Sequence, residues 1–178
     1  MADLRITTQR IVLRQPELKD AAQLLKLFNQ ADFIDNIRDK NIRTIADAEQ
    51  EVEQNISSHF ERFGFSMMSM DVKEQSCIGM CGLIKRDELE VPDIGFAILS
   101  EYQNNGLVSE AATAIIRFGF NELKLKRIGA IVKPDNMASI RVITKLGLSF
   151  VKGIRLTPED NLVKYFEITQ QEYIGQTN

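Results

Sequence analysis

Two apolar runs, IGFAIL at residues 94–99 and RIGAIV at residues 127–132, flank a segment with helical periodicity from about Ser109 to Leu123. A helix between two strands favours a parallel pair, because a tight hairpin joins only antiparallel neighbours. The crossover in such a unit is almost always right-handed. The order strand, helix, strand therefore predicts two parallel strands with one helix packed across them. We expect a site where the strands enter and leave that helix.

Other strand-like segments place this pair in a larger sheet. Residues 65–72 (FSMMSMDV) and 77–85 (CIGMCGLIK) precede IGFAIL and are joined to it by polar turns, which favours an antiparallel meander. A short β-branched run stands at Arg10–Arg14, and closing strands are predicted at residues 148–154 and 162–169. The fold class that follows is α/β, with a mixed, mostly antiparallel sheet flanked by helices.

Three further helices are expected from their apolar spacing. Pro16 suits the first turn of a helix whose apolar positions share one face, namely Leu18, Ala21, Leu25 and Phe28. Thr44 followed by Asp47 forms a partial capping box, and the buried stripe of the helix that it opens is Ile45, Ala48, Val52, Ile56, Phe60 and Phe63. A short helix is predicted over Asn136–Leu146, ending at Gly147.

Length and charge narrow the class of protein. The 178 residues suit one domain, so we expect a single domain over residues 1–178. A net charge of −3 and a pI near 5.3 argue against wholesale binding to nucleic acid or to anionic membranes, and weakly favour a cationic substrate. The opening residues show no signal-peptide pattern and no run is long enough to span a membrane, which predicts a cytoplasmic protein.

The two cysteines and the one histidine do not indicate a disulfide, a metal site or a catalytic histidine. Cys77 and Cys81 lie four apart in a predicted strand, at roughly 13 Å, which is too far for a disulfide between them. A zinc site is implausible with one histidine and no CxxC motif, so no metal is expected. His59 lies beside the apolar stripe of the second helix, and we interpret it as structural and remote from the site.

A glycine-containing loop precedes the crossover helix. A helix N-terminus leaves its first amides unpaired and partly positive, so a loop that leads into it can bind a phosphate. The residues suited to this are Gln103, Asn104, Asn105, Gly106, Leu107, Val108 and Ser109. The alternative is a plain Asn105-Gly106 turn with Ser109 as N-cap. Taken alone, the loop leaves both interpretations open.

A second helix that begins with polar residues follows the next strand, within residues 133–150 (KPDNMASIRVITKLGLSF). Two motifs together resemble the GNAT superfamily of acetyl-CoA-dependent N-acetyltransferases. The first is the Q-x-x-G loop at residues 103–106, before the crossover helix. The second is N-x-x-S-x-R at residues 136–141, followed by K-L-G at residues 145–147. The chain is most similar to the RimJ/RimL-like branch, which acetylates the N-termini of ribosomal proteins. The resemblance covers nearly the whole chain, from TTQRIVLRQPELKDA onward, and implies two central parallel strands that splay apart.

The resemblance implies the residues that contact coenzyme A. Gln103–Val108 corresponds to the loop that wraps the pyrophosphate with backbone amides. Here Val108 replaces the usual small last residue, and Asn104 and Asn105 stand where a lysine is common. The pantetheine would pair with the backbone of Phe96, Ala97 and Ile98 on the splayed strand, whose amides could also hold an oxyanion. Asn136 matches the asparagine that bonds pantetheine. Arg141 and Lys145 meet the phosphates or face solvent.

Two residues are implied as catalytic. Many relatives use a tyrosine to protonate the leaving thiolate, but that position here is Ile143. Ser139 is the available hydroxyl, and the alternative is that it bonds within the first helical turn. Asp93 matches a position where relatives often carry Glu, and would deprotonate the amine directly or through a water. The alternative is a turn aspartate after Pro92.

The implied function is direct acetyl transfer from acetyl-CoA to a primary amine. Neither cysteine has a histidine partner for a covalent route. The acceptor is expected to be a protein N-terminal amine of ribosomal-protein type. A polyamine, an amino acid or an amine-bearing drug remains open, as does an acyl-CoA-binding module without turnover. Nucleic acid and membrane are not expected as partners, and the protein is expected to be a monomer or homodimer.

Overall fold

A computed structural model describes residues 4–177, with side chains to residue 175. Its centre is one eight-stranded sheet in the order β1-β2-β3-β4-β5-β6-β8-β7. In chain order the strands are β1 Arg5–Thr7, β2 Val12–Arg14, β3 Met67–Val72, β4 Gln75–Ile84, β5 Asp93–Ile98, β6 Arg127–Val132, β7 Ser149–Ile154 and β8 Val163–Thr169.

The parallel pair predicted from the sequence is β5 and β6, and all the other neighbouring strands are antiparallel. The two strands pair only at Asp93 and Gly129, where the Gly129 amide donates to the Pro92 carbonyl at 2.9 Å. Beyond that point they diverge, while β5 stays paired with β4 as far as Ile98. The predicted fold class and the splayed central strands are therefore confirmed.

Helices cover both faces of the sheet. In chain order they are α1 Ala21–Phe28, α2 Ala31–Asn36, α3 Ile45–Gln50, α4 Ser58–Phe63, α5 Leu107–Asn121, α6 Met137–Lys145 and α7 Gln170–Thr177. A π-helical segment, Glu51–Ser57, joins α3 to α4. Helix α5 packs on one face with its buried side chains against β4, β5 and β6, whereas α1 and α3 cover the other face. No helix in residues 4–177 is long and apolar enough to cross a membrane.

The first helix was predicted to start too early, although Ala21 and Phe28 are buried and Leu25 packs against the same core as predicted. Its buried residues are Ala21, Leu24, Leu27 and Phe28, while Leu18 is 46% exposed in a short 3-10 turn before the helix. The cause is the buried carboxylate of Asp20, which accepts two hydrogen bonds from Arg14 at 2.7 and 2.9 Å and one from the Glu17 amide at 2.8 Å. These bonds fix the 3-10 turn, so the α-helix begins only at Ala21.

The start of the second helix was predicted correctly. Thr44 Oγ1 accepts from the Asp47 amide at 3.1 Å, and Asp47 accepts from the Thr44 amide at 2.8 Å, which completes the capping box. The π-helical segment then shifts the register. Val52 and Ile56 are buried as predicted, whereas Ile45, which precedes this segment at the start of α3, is half exposed.

The cysteines lie in different parts of the core, with Cys77 under α1 and α3 and Cys81 under α5. A register shift of the β3–β4 pair and the positive φ of Cys77 (52°) separate them. Both are unpaired and buried. Burial raises the pKa of the Cys77 thiol to about 12 and that of Cys81 further, so neither is a nucleophile.

Candidate functional site

The loop before α5 presents unpaired backbone amides. Gly106, with φ of 74°, is the N-cap of α5, and Asn104 also has a left-handed φ of 61°. The helix thus begins two residues before Ser109, which excludes the alternative that Ser109 is its N-cap. No side chain caps α5, and none of the amides of residues 104–109 donates to another described residue. Such an N-terminus is suited to an anion.

Arg10 holds this loop in place, a role that the sequence did not indicate. Its Nη1 donates to the Asn105 carbonyl at 2.9 Å and its Nε donates to Glu110 Oε2 at 2.7 Å. Glu110, in the first turn of α5, also accepts from the Arg10 amide at 2.8 Å and from Thr8 Oγ1 at 2.6 Å. Although partial burial opposes them, these bonds keep the pKa of Glu110 below its usual value. The segment between β1 and β2 therefore ties down both the loop and the helix.

A cleft of about 380 Å³ runs from this loop to the diverging strands. Most of the residues predicted to contact coenzyme A line it: Phe96, Ala97, Ile98, Gln103, Asn104, Gly106, Leu107, Val108, Ser109, Asn136 and Arg141. Asn105 does not line the cleft, since its carbonyl is held by Arg10. Lys145 is exposed at the far end of α6 and does not line it either, which favours the solvent-facing alternative.

The opposite wall of the cleft comes from α2, which the sequence analysis did not identify. Gln30 accepts from the Ser100 amide at 2.7 Å and donates to the Ile98 carbonyl at 3.3 Å. Gln103 Nε2 donates to Asp32 at 3.2 Å. These contacts join residues about 70 positions apart in the chain, so no local pattern could have indicated them.

A second cavity, of about 610 Å³, adjoins the cleft. The residues that line both are Phe33, Asn36, Ile37, Phe96, Ala97, Asn136 and Ser139. This shared wall lies where β5 and β6 diverge and where α6 begins. Two molecules bound in the two cavities would therefore meet at the splayed strands, which is the geometry that a group transfer needs.

Asp93 lies in the wall of the second cavity, where β5 and β6 are still paired. It is only 1% exposed, so it is not an exposed turn aspartate. Burial raises its pKa to about 6, although Arg86, whose Nε lies 2.8 Å from Asp93 Oδ1, opposes the rise. A carboxylate with this pKa is largely ionised at neutral pH and can accept a proton.

Asn136 and Ser139 begin α6. Asn136 is the N-cap, and its Oδ1 accepts from the Ser139 amide at 3.1 Å. The Ser139 hydroxyl has no hydrogen-bond partner among the described residues, so it does not bond back within the first helical turn. Ser139 lines both cavities and its hydroxyl is available to a bound molecule.

His59 lines the second cavity together with Asp93, so its predicted distance from the site was wrong. Its Nε2 accepts from the Lys85 amide at 3.0 Å, which leaves the proton on Nδ1, 2.8 Å from the Phe65 carbonyl. Both ring nitrogens are therefore occupied by the backbone, and the expected structural role fits these contacts. No cluster of potential metal-ligating side chains occurs within the described part of the chain.

Comparison with known proteins agrees with this geometry. The family model of the acetyltransferase (GNAT) domain matches residues 10–149. The uncharacterized N-acetyltransferase YnaD of Bacillus subtilis is 32% identical over 146 residues, which cover 82% of each chain. A GNAT-family acetyltransferase structure from Bacillus anthracis superposes with a TM-score of 0.79 at 26% identity, over 94% of this chain and 99% of that one.

A further structure, RimL, a ribosomal L7/L12 alpha-N-protein acetyltransferase in complex with coenzyme A, has a TM-score of 0.80 at 15% identity. The superposition covers 93% of this chain and 98% of that one, and at this identity it supports the fold alone. The domain match, by contrast, spans most of the sequence and includes both helix starts that form the cleft. The chain therefore belongs to the GNAT acetyltransferase family and is an acyltransferase.

Proposed function

We propose that the protein transfers an acetyl group from acetyl-CoA directly to a primary amine. The observation that carries this proposal is the meeting of two cavities where β5 and β6 diverge. One cavity leads to the amide-lined loop at Gly106, and the other contains the buried Asp93. Two structural neighbours support the donor: RimL is in complex with coenzyme A, and the immunity acetyltransferase MccE is in complex with acetyl-CoA.

The cleft suits coenzyme A in its chemistry. The unpaired amides of the loop residues that line the cleft, Asn104 and Gly106 to Ser109, would hold the pyrophosphate, and Val108 does not hinder this because its amide still donates. Arg141 lines the same cleft and offers a cation to the phosphates. Phe96, Ala97 and Ile98 lie where β6 has diverged from β5, so the β5 edge that faces the cleft is available to pantetheine, apart from the Ile98 carbonyl, which accepts from Gln30.

The reaction needs a neutral amine and a stabilised leaving group. About a tenth of a free α-amino group, with a pKa of about 8, is neutral at pH 7, against far less for lysine. Asp93 would take the proton as the amine attacks the thioester carbon. Ser139 would donate its hydroxyl hydrogen bond to the departing thiolate. Transfer is direct in this scheme, because both cysteines are buried in the core and line neither cavity.

The proposed acceptor is a protein N-terminus, as in the RimJ/RimL branch. The structural neighbours RimL and the ribosomal-protein-S5-alanine acetyltransferase of Vibrio fischeri support this choice by the activities that their names state. A small amine is the alternative. In this scheme residues 1–178 form one catalytic domain.

The experiment that tests this proposal is an acetyl-transfer assay on the whole protein, with acetyl-CoA and a panel of N-terminal peptides, free amino acids and polyamines. Calorimetric titration with acetyl-CoA runs beside it. Micromolar binding with turnover of at least one amine is expected. Binding without turnover on any amine would contradict the enzyme proposal and favour an acyl-CoA-binding module.

Replacing Ser139 by alanine is expected to lower kcat about tenfold and leave the affinity for acetyl-CoA unchanged. The lost hydroxyl would otherwise stabilise charge that develops only in the transition state. Steady-state kinetics and calorimetry measure the two effects. Ser149→Ala, at an exposed position in β7, is the control, and an equal loss in both variants would contradict a role for Ser139.

Replacing Arg10 by methionine is expected to raise the KM for acetyl-CoA about tenfold with little change in kcat, because the loop loses a charge-assisted hydrogen bond. With acetyl-pantetheine, which has no pyrophosphate, the variant should match the wild type. Arg127→Met is the control, since Arg127 is similarly exposed (42% against 46%) and lines neither cavity. A KM increase with both donors would contradict this role and indicate a general structural defect.

A further inference from the structure

The carboxylates that line the second cavity are all engaged by the protein. Glu51 forms an ion pair with Lys40 and accepts from Asn55. Asp93 is paired with Arg86 at 2.8 Å, and Asp160 accepts from the Thr157 amide at 2.9 Å. A polyamine or a lysine side chain needs free carboxylates to replace its hydration, and this wall offers only one carboxylate without a cationic partner, Asp160.

Two of the positively charged side chains in the same cavity have no carboxylate partner. Arg38 has no hydrogen-bond or ion-pair partner among the described residues, and Lys133 donates only to a neutral group, the Asp35 carbonyl. Lys40 and Arg86 neutralise Glu51 and Asp93. With Asp160 counted, four cations stand against three carboxylates, so the cavity has an excess of one positive charge. This is contrary to the cationic substrate that the net charge of the chain weakly favours.

The rest of the cavity is largely apolar. Its buried walls include Phe28, Phe33, Ile56, Met80, Ile94 and Ile143. Ile37, next to Arg38, is 47% exposed and lines both cavities. An exposed isoleucine beside an unpaired arginine is explained if a bound substrate covers the first and neutralises the second.

We infer that the acceptor is a peptide N-terminus whose first residues combine an apolar side chain with a carboxylate, the carboxylate pairing with Arg38. The inference rests on the proposed function and narrows its substrate. The apolar side chain would lie against the walls near Phe33 and Ile37, with the amine directed to Asp93 in the second cavity and towards Ser139 at the shared wall. The planar guanidinium of Arg38 suits two parallel hydrogen bonds to the carboxylate.

The test uses three peptides that share an apolar first residue and differ only at the third, which is Glu, Gln or Lys. For the wild type, kcat/KM is expected to be about fivefold higher for the Glu peptide than for the Gln peptide, and lowest for the Lys peptide. Arg38→Gln should level the three values, and Arg38→Glu should reverse their order. Arg117→Glu, an exposed charge reversal on α5 that lines neither cavity, should keep the wild-type order.

Equal turnover of the three peptides, preference for the Lys peptide or for spermidine, or the same shift in Arg38→Glu and Arg117→Glu would overturn the inference. In each of these cases acetyl transfer still occurs, so the proposed function survives. Absence of transfer to every amine, with folded protein, would instead overturn the proposed function and this inference with it.

Discussion

Replacing Gly106 by valine is expected to weaken acetyl-CoA binding by at least about 100-fold while the protein remains folded. Gly106 has φ of 74°, where a β-branched residue is strongly disfavoured. To relieve the strain the backbone must rotate, which turns the adjacent amides away from the pyrophosphate. The loss of two hydrogen bonds to a charged group, each worth about 1.5–3 kcal/mol, accounts for the expected size.

The chain provides a matched control for this substitution. Gly64, after α4, has φ of 77° and ψ of 4°, nearly the dihedral angles of Gly106, and lines neither cavity. A Cβ would have no neighbour within 4 Å at Gly64 and only Arg10 Nη2, at 3.5 Å, at Gly106. Both valine variants should therefore lose a similar unfolding free energy, roughly 1–3 kcal/mol.

Calorimetric titration with acetyl-CoA, together with denaturant unfolding, separates the two effects. Only Gly106→Val should lose binding, and Gly106→Asn should retain part of it because asparagine tolerates the left-handed region. Undiminished binding by Gly106→Val would show that the pyrophosphate lies elsewhere. An equal loss of binding in both valine variants would assign the effect to stability.

Asp93→Asn is expected to lower kcat/KM for the acceptor by about 100- to 1000-fold, as removal of a general base does. In the wild type, kcat/KM should fall as the pH is lowered, with an apparent pKa of about 6, since protonated Asp93 cannot accept the amine proton. The variant should lose this dependence near pH 6 and keep the dependence near pH 8, which reflects ionisation of the amine itself. Acetyl-CoA affinity should not change.

Glu51→Gln is the control for this prediction. Glu51 is another carboxylate of the same cavity and is also paired with a cation, but it lies in the helical segment between α3 and α4 and not on the central strands. Its loss should change kcat/KM only a few-fold. Full activity of Asp93→Asn, or the same dependence near pH 6 in both Asp93→Asn and the wild type, would remove Asp93 from the mechanism and leave a water as the base.

The same carboxylate should affect stability with a defined sign. Its pKa is raised by folding, so between pH 4 and about 6 the unfolded chain ionises Asp93 before the native state does. The native state then holds more protons, and the wild type loses unfolding free energy relative to Asp93→Asn as the pH rises through this range. Denaturant unfolding at pH 4, 5, 6 and 7 measures this difference, which would stay constant if Asp93 had its ordinary pKa in the native state.

Some structural features could be predicted from the sequence alone. The parallel pair at residues 94–99 and 127–132 was predictable because only a long crossover can join parallel strands. The capping box at Thr44 was predictable because the two hydrogen bonds that form it join neighbours in the chain. The first helix was placed wrongly because Arg14, outside the helix, fixes Asp20 and delays its start.

The sequence by itself determined the fold class and the parallel pair, since both depend on element order. The splay of the two strands and the cluster of residues that lines the cleft followed from the family resemblance that the two motifs carry. Only the tertiary structure showed the Arg10 contact with the loop, the wall formed by α2 and the unmatched charge of Arg38. These features join residues distant in the chain, or depend on which charges find partners. Such contacts form only when the chain is folded, so no local pattern in the sequence encodes them.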